Sequence, residues 1–218
     1  MKIFNFDTDN KWDYENGFYL TSHPTRIAKI LAHQKLYEQI INLPGEVLEF
    51  GVFKGASLTR LATFREVFES PYSRKIIGFD MFGEFPHSGN KDDVDYAINF
   101  EKQSGTGIPK EDLEKAFELK SFKNYELVKG DILNTLPEYL AQNPQLRISF
   151  LHIDTDIYEP AKLILELCYD RMVKGGVIVF DDYPTVAGET QAVDEFFANR
   201  HHVIQKFPFS HIPSFIIK

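Results

Sequence analysis

The sequence predicts an α/β protein built on a doubly wound, mostly parallel β-sheet. Short apolar runs that suit buried strands alternate along the chain with runs whose apolar residues recur at helical spacing. Parallel strands need a crossover connection, and a helix usually supplies it, so this alternation favours a sheet with helices on both faces. The chain has 218 residues, 43% of them hydrophobic, which suits one domain with a full core.

The first half of the chain supplies an N-terminal helix, two strands and the helix between them. In chain order we expect the helix 24–43, the strand 46–50, the helix 56–70 and the strand 75–80. Pro44 and Gly45 end the first helix because neither residue continues one easily. Residues 1–45 are therefore an aromatic segment and a helix that precede the sheet.

The second half continues the alternation and closes with a hairpin. In chain order we expect the strand 125–131, a short helix 136–142, the strand 147–154, the helix 159–173, the strand 176–181 and the helix 189–200. Two terminal apolar runs, 202–207 and 214–218, predict an antiparallel hairpin joined through PFSHIP. All these elements fit a single domain over 1–218.

The segment 81–124 is longer than a single crossover requires. It begins with the turn-forming stretch GEFPHSGNKDDVDY and continues into helical PKEDLEKAFELKSF. A long connection after the second strand is commonly a lid over a binding site, and a solvated acidic excursion is the alternative.

Charge and composition exclude several classes of protein. The net charge of −8 argues against nucleic acid as the main partner, because phosphate binding needs a basic face. No apolar run approaches the roughly 20 residues that cross a bilayer, and the N-terminus lacks the pattern of a secretory signal. The single cysteine, Cys168, lies in a helical apolar run and predicts a buried helix residue. These features lead us to expect a cytoplasmic protein.

Glycines and acids at three strand ends predict a nucleoside site. Gly51 and Gly55 follow the first strand in LEFGVFKGAS, where a tight turn leads into a helix N-terminus. Glu49 is costly inside a strand unless it meets a partner, and a cationic ligand is one candidate. Asp80 closes the second strand, where an acid can hold ribose hydroxyls. Asp131 closes the third, where it could hold an adenine amino group or cap a turn.

Four carboxylates end two further apolar runs. FLHIDTDIYEP carries Asp154 and Asp156, and GGVIVFDDYP carries Asp181 and Asp182. On an extended backbone Asp154 and Asp156 would project to the same side. Four acids this close repel one another unless a cation lies among them, so the pattern predicts a divalent metal site. His152 is either a neighbour of that site or an ordinary core histidine.

The stretches VLEFGVFKGAS, IGFDMFGEFP, LHIDTDIYEPAKLILE and GGVIVFDDYPTVAGETQAVDEFF resemble the macrocin-type O-methyltransferases, which methylate sugar hydroxyls in macrolide and aminocoumarin pathways. The resemblance runs from about residue 24 to residue 200. It implies a Rossmann-like class I methyltransferase fold, S-adenosylmethionine as cofactor and Mg²⁺ or another divalent cation. It also implies a small-molecule acceptor with a hydroxyl group, with a sugar as the leading candidate. It leaves homo-oligomerisation open.

Carried over residue by residue, the resemblance assigns a role to each strand-end side chain. Glu49, Gly51 and Ser57, together with the turn at Gly55, would bind the methionine end of the cofactor. Asp80 would hold its ribose and Asp131 its adenine region. The metal would lie on Asp154, Asp181 and Asp182, which leaves Asp156 as the general base.

Three other functions stay open at this point. A metal-dependent catechol O-methyltransferase would use the same ion, although such enzymes usually carry asparagine at the position of Asp182. A nicotinamide-dependent oxidoreductase would use Gly51, Gly55 and Asp80, but it would lack a third glycine and would not need the carboxylates. A non-catalytic nucleoside-binding module would not need a base at Asp156.

Overall fold

The computed structural model describes residues 1–85 and 91–218. Seven strands form the main sheet: β3 (Glu46–Phe50), β4 (Ile76–Asp80), β5 (Tyr125–Lys129), β6 (Ile148–Ile153), β7 (Met172–Phe180), β8 (Gln205–Lys206) and β9 (Ser214–Ile217). Their order is β5-β4-β3-β6-β7-β9-β8, and neighbouring pairs are parallel except the two that involve β9. The predicted α/β fold with a C-terminal antiparallel hairpin is confirmed. A small N-terminal hairpin pairs β1 (Lys2–Ile3) with β2 (Phe6–Asp7).

Eight described α-helices accompany the strands. They are α1 (Lys11–Thr21), α2 (Pro24–Glu38), α3 (Ala56–Phe68), α4 (Lys91–Ser104), α5 (Lys110–Leu119), α6 (Ile132–Gln142), α7 (Tyr158–Cys168) and α8 (Ala187–Phe197). Short 3₁₀ turns cover Thr8–Asn10 and Tyr169–Arg171. Among the described helices, none is long and apolar enough to cross a membrane.

Element boundaries differ from the sequence prediction where a local hydrogen bond decides them. Helix α6 begins four residues earlier than expected, because the Asp131 side chain caps it by accepting from the Leu133 N–H at 2.9 Å. Helix α2 ends at Glu38 rather than at residue 43, since Gln39 and Ile40 donate to carbonyls three residues back and tighten the chain into turns. Strand β8 covers only two residues of the predicted run 202–207.

The two faces of the sheet carry separate cores. Alternate residues of β3 point to opposite faces, so Leu48 and Phe50 pack on the α6–α8 side, while Val47 packs on the side of α2 and α3. Glu49 shares the second face with Val47. Because Glu49 pairs with His152 across the parallel ladder, the register places a carboxylate and an imidazole side by side under α2 and α3.

The insertion 81–124 contains the helices α4 and α5, and only the second was expected. The part of its turn-forming stretch at 86–90 lies outside the described residues. The segment is fastened to the turn after β3, because the Ile108 N–H donates to the Phe53 carbonyl at 2.7 Å. The insertion therefore sits at the carboxyl end of the sheet, and its role as a lid stays a prediction.

Candidate active site

A cavity of about 410 Å³ opens at the carboxyl ends of the parallel strands. Ligands on open α/β sheets bind at this edge. The cavity brings together most of the residues that the sequence singled out: Gly51, Ser57, Asp80, Asp131, Asp154, Asp156, Asp181 and Asp182. The predicted nucleoside site and the predicted metal site are therefore two parts of one cavity.

Gly51 is required by close packing of two strand ends. Its φ of +85° is left-handed, and a Cβ built on it would lie 1.7 Å from the Asp154 carbonyl oxygen. The turn after β3 thus touches the backbone that carries the first carboxylate pair. Gly55, with a φ of +78°, begins α3 and packs against Leu113 of α5 instead of lining the cavity.

Glu49 lies beneath the cavity and is fully buried. One carboxylate oxygen accepts from the Ser57 hydroxyl at 2.8 Å, and the other lies 3.1 Å from Nδ1 of His152. The partner that a buried strand acid needs is therefore inside the protein. Glu49 orients Ser57, which does line the cavity.

Asp80 organises the turns around the predicted ribose position. One oxygen accepts from the backbone N–H groups of Val52 and Phe53 at 2.8 and 2.9 Å, and the other from that of Phe82 at 2.5 Å. Burial raises the pKa of Asp80, and these backbone hydrogen bonds act against the rise. A carboxylate has about four lone-pair positions, so Asp80 retains capacity for a ligand hydroxyl.

The acids after β6 and β7 come together because these strands are neighbours in register. Ile153 pairs with Phe180, and carboxylate oxygens of Asp154, Asp181 and Asp182 lie within 4.8 Å of one another. The expectation that strand alternation aligns Asp156 with Asp154 is wrong, since β6 ends at Ile153. Asp156 reaches the cluster through a turn, with a left-handed φ of +63°.

The carboxylates differ strongly in proton affinity. Burial and repulsion from the neighbouring acids raise the pKa of Asp154, and they raise that of Asp182 to about 8. Burial also raises the pKa of Asp156, and hydrogen bonds from Asp182 and Tyr96 partly oppose this rise. Asp181 is the opposite case. Despite its burial, the hydrogen bond from His152, the nearby His33 ring and the charge of Lys29 hold its pKa well below the usual value.

His152 is a buried cation between two acids. Its Nδ1 faces Glu49 and its Nε2 lies 3.1 Å from Asp181 Oδ1. Burial alone would lower the pKa of His152, but hydrogen bonds to both carboxylates raise it to about 9. The imidazolium therefore connects the carboxylate that holds Ser57 with one of the predicted metal ligands.

His33 packs edge-on against His152 but stays neutral. Burial lowers the pKa of His33 to about 3. Arg60 donates to its Nδ1 at 3.0 Å, which places the ring proton on Nε2, the nitrogen that lies 3.7 Å from Asp181. His33, His152 and Asp181 also cluster closely enough for a metal. They do not fit one, because both rings turn N–H groups rather than lone pairs toward Asp181.

The carboxylates Asp154, Asp181 and Asp182 fit a hard divalent cation. They offer oxygen ligands only, which Mg²⁺ prefers. The pKa values of Asp154 and Asp182 are raised first by burial and then by repulsion from the neighbouring acids, and a cation would relieve that repulsion.

Among the site residues that the sequence did not reveal, three contact the acidic residues after β6 and β7. Lys29 of α2 donates to Asp181, Tyr96 of α4 donates to Asp156 at 2.9 Å, and buried Glu189 of α8 accepts from the Asp182 N–H at 3.1 Å. Burial raises the pKa of Glu189 well above its usual value. A signal existed for Lys29, since Arg26, Lys29 and His33 recur at helical spacing and form a basic stripe along one side of the helix.

The strand order, the antiparallel β9 and the shared cavity define the class I methyltransferase fold. The macrocin-O-methyltransferase (TylF) family model matches residues 25–214. This chain belongs to that family.

Two curated relatives come from Streptomyces species. The chain is 27% identical over 146 residues to the 8-demethyl-8-(2,3-dimethoxy-α-L-rhamnosyl)-tetracenomycin-C 4′-O-methyltransferase of Streptomyces olivaceus, a match that covers 65% of this chain and 54% of that protein. It is 25% identical over 162 residues to the demethyldecarbamoylnovobiocin O-methyltransferase of Streptomyces niveus, covering 71% and 59%. The matches thus span little more than half the length of these relatives.

Solved structures share the fold over most of the chain. The calicheamicin methyltransferase CalS11 superposes with a TM-score of 0.73 at 27% identity, covering 98% of this chain and 86% of that one. An apo structure of CalS11 is described as a TDP-rhamnose 3′-O-methyltransferase. The O-methyltransferase NovP gives a TM-score of 0.75 at 20% identity, covering 89% and 79%, and supports the fold alone.

Proposed function

We propose that this protein is an S-adenosylmethionine-dependent O-methyltransferase that acts on a hydroxyl of a sugar or glycosylated small molecule. The observation that carries the proposal is the shared cavity. The Gly51 turn and Asp80 line the same cavity as the carboxylates Asp154, Asp156 and Asp182. A methyl donor and a hydroxyl acceptor have to meet in one cavity of this kind.

The named relatives support a sugar as the acceptor. One acts on a rhamnosyl group according to its name, and CalS11 is described as acting on TDP-rhamnose. The acidic floor of the cavity suits a polyhydroxylated ligand, because carboxylates accept hydrogen bonds from hydroxyl groups.

The chain's own residues divide the cavity into a cofactor half and an acceptor half. The methionine end of the cofactor would lie along Gly51 and Ser57, its ribose at Asp80 and its adenine near Asp131, all of which line the cavity. S-adenosylmethionine supplies the methyl group on a sulfonium centre. The acceptor hydroxyl would then face the carboxylates after β6 and β7.

Asp156 is the proposed proton acceptor. A hydroxyl is a poor nucleophile until its proton leaves, and a positioned carboxylate contributes about 10²–10⁴-fold to such a step. The raised pKa of Asp156 makes it a stronger base than an exposed aspartate. Asp154, Asp181 and Asp182 would hold Mg²⁺, which when bound supplies positive charge to favour the anionic character that develops on the acceptor oxygen.

Calorimetry and a transfer assay test the proposal. The chain should bind S-adenosylhomocysteine, and it should transfer a radiolabelled methyl group to nucleotide-linked deoxysugars or simple glycosides. Chelator should reduce the transfer. Binding of NAD without binding of S-adenosylhomocysteine would reject the function.

A catechol-type acceptor is the second candidate. The rings of Phe53, Phe85, Tyr96 and Phe100 line the cavity, and Phe100 lies 5.2–6.1 Å, centroid to centroid, from the other three. Such a wall suits an aromatic ligand as well as the apolar face of a sugar. The same transfer assay with catechols beside sugars decides between them, because the preferred class should show the higher kcat/KM.

A further inference from the structure

Lys29 places a positive charge inside the acidic cluster. Its Nζ donates to Asp181 Oδ2, and its side chain is 18% exposed against 4% for Asp181. The other oxygen of Asp181 lies 3.1 Å from Nε2 of the buried His152. Both oxygens of this carboxylate are therefore already engaged by side chains that belong to the chain.

A divalent ion at the cluster would compete with this lysine. The carboxylate oxygens of Asp154, Asp181 and Asp182 that could hold an ion lie within 4.8 Å of one another, so an ion among them would be close to the Lys29 ammonium. Like charges at such distances repel strongly where water is scarce. An ion and the ammonium on the same carboxylate oxygen would repel each other, so binding of the ion favours departure of the ammonium.

The Lys29 side chain can move away from Asp181. Its charge is carried on a flexible four-carbon chain, and its side chain borders the open cavity, which leads to solvent. His152 has no such freedom, because it is fully buried and held at both nitrogens.

We propose that Lys29 is a tethered cation that neutralises the acidic cluster in the free protein and is displaced when a divalent ion binds. This inference rests on the metal site of the proposed function. The lysine keeps the carboxylates assembled when no ion is bound, and it sets the ion's affinity, since every binding event has to break the Lys29–Asp181 pair.

Calorimetric titration of the whole chain with Mg²⁺ and Mn²⁺ tests the competition. Lys29→Met removes the charge but keeps a flexible chain of similar length, and it should bind either ion about tenfold more tightly, which corresponds to about 1.4 kcal/mol. Lys29→Arg keeps the charge and should bind no more tightly than the unaltered chain. Lys54→Met is the matched control: Lys54 lines the same cavity but bonds to the Ser104 carbonyl, so its loss should leave ion affinity nearly unchanged.

Thermal unfolding gives a second readout. It also keeps the proposal testable with Lys29→Gln if Lys29→Met folds poorly. In chelator, Lys29→Met or the milder Lys29→Gln should melt at a lower temperature than the unaltered chain, because the carboxylates lose their internal cation. Mg²⁺ should raise the melting temperature of these variants more than that of the unaltered chain.

The proposal is overturned if Lys29→Met binds the ions equally or more weakly, or if neither protein binds them. Methyl transfer that resists chelator, together with no ion binding, would reject the role of Lys29 and leave the proposed function standing. Tighter ion binding by Lys29→Met, without methyl transfer by the unaltered chain, would support the role of Lys29 and reject the proposed function.

Discussion

The interaction between Asp156 and Asp182 shifts the two pKa values in opposite directions, since it raises that of Asp182 and lowers that of Asp156. The two residues also differ in surroundings. Asp156 also accepts from Tyr96, whereas Asp182 belongs to the trio of carboxylates whose oxygens lie within 4.8 Å of one another. The two positions should therefore fail in different ways when each is changed to asparagine.

Asp182→Asn should weaken Mg²⁺ binding and lose activity that high Mg²⁺ concentration partly restores, because mass action offsets a lost ligand. Asp156→Asn should bind the ion nearly normally and lose about 10²–10⁴-fold in kcat, since no ion concentration replaces a proton acceptor. Titrating Mg²⁺ against turnover of both variants checks this. If Mg²⁺ rescues Asp156→Asn as well, Asp156 is a ligand and the base lies elsewhere.

Tyr96→Phe should move the acid limb of the pH–rate profile to higher pH. The Tyr96 hydroxyl donates to Asp156 at 2.9 Å and thereby stabilises the ionised carboxylate. Without this hydrogen bond the pKa of Asp156 rises, so the base becomes protonated at a pH where it was previously ionised. Measuring kcat/KM from pH 5 to pH 9 for both proteins decides the matter, and an unmoved or downward-shifted limb would contradict it. Tyr183→Phe is a control, because its hydroxyl bonds to Asp194.

At the scale of elements, Arg74 fastens the end of α2 to the start of the sheet. This buried guanidinium donates to both oxygens of Glu69, to the carbonyls of Ile40, Leu43 and Gly45, and to the Ser149 hydroxyl. The attachment matters for the site, because α2 also carries Lys29 and His33 to Asp181. A shift of α2 would move both residues.

Arg74→Leu should lower the free energy of unfolding by about 3–5 kcal/mol, because it leaves the buried Glu69 carboxylate without its cation. The neighbouring Lys75 gives a matched control. Its pair with Glu126 is 38% and 40% exposed, so Lys75→Met should cost less than about 1 kcal/mol. Urea unfolding of both variants measures the difference, and equal losses would refute the structural role assigned to Arg74.

Strand-end residues could be predicted because they depend on topology alone. Asp154, Asp181 and Asp182 follow buried runs of neighbouring parallel strands, and the carboxyl ends of such strands meet at one edge. Lys29, Tyr96 and Glu189 could not be placed, since they reach the site from helices whose rotation about their axes is set by packing. The left-handed turn at Asp156 escaped notice for the same reason: its conformation depends on contacts that strand periodicity does not encode.

For the molecule as a whole, the buried charges make stability depend on pH. The pKa of His152 rises from 6.5 to about 9 on folding despite its burial, because Asp181 and Glu49 bind its protonated form. Burial and neighbouring carboxylates raise the pKa of Asp182 from 3.8 to about 8, and Glu189 shifts in the same direction. In each case the folded state binds a proton more tightly than the unfolded state. Raising the pH through these values therefore favours unfolding.

In chelator, the free energy of unfolding should fall as the pH rises from about 6.5 to 9. The stabilisation from His152 is complete below its unfolded pKa of 6.5 and is lost through about 9, a change on the order of 3 kcal/mol. Deprotonation of Asp182 adds to the loss up to about pH 8. Mg²⁺ should reduce the fall, because it neutralises the carboxylates. Urea unfolding at several pH values, with and without Mg²⁺, tests this. A free energy of unfolding that stays flat or increases between pH 6.5 and 9 in chelator would show that the buried His152 is not held as a cation.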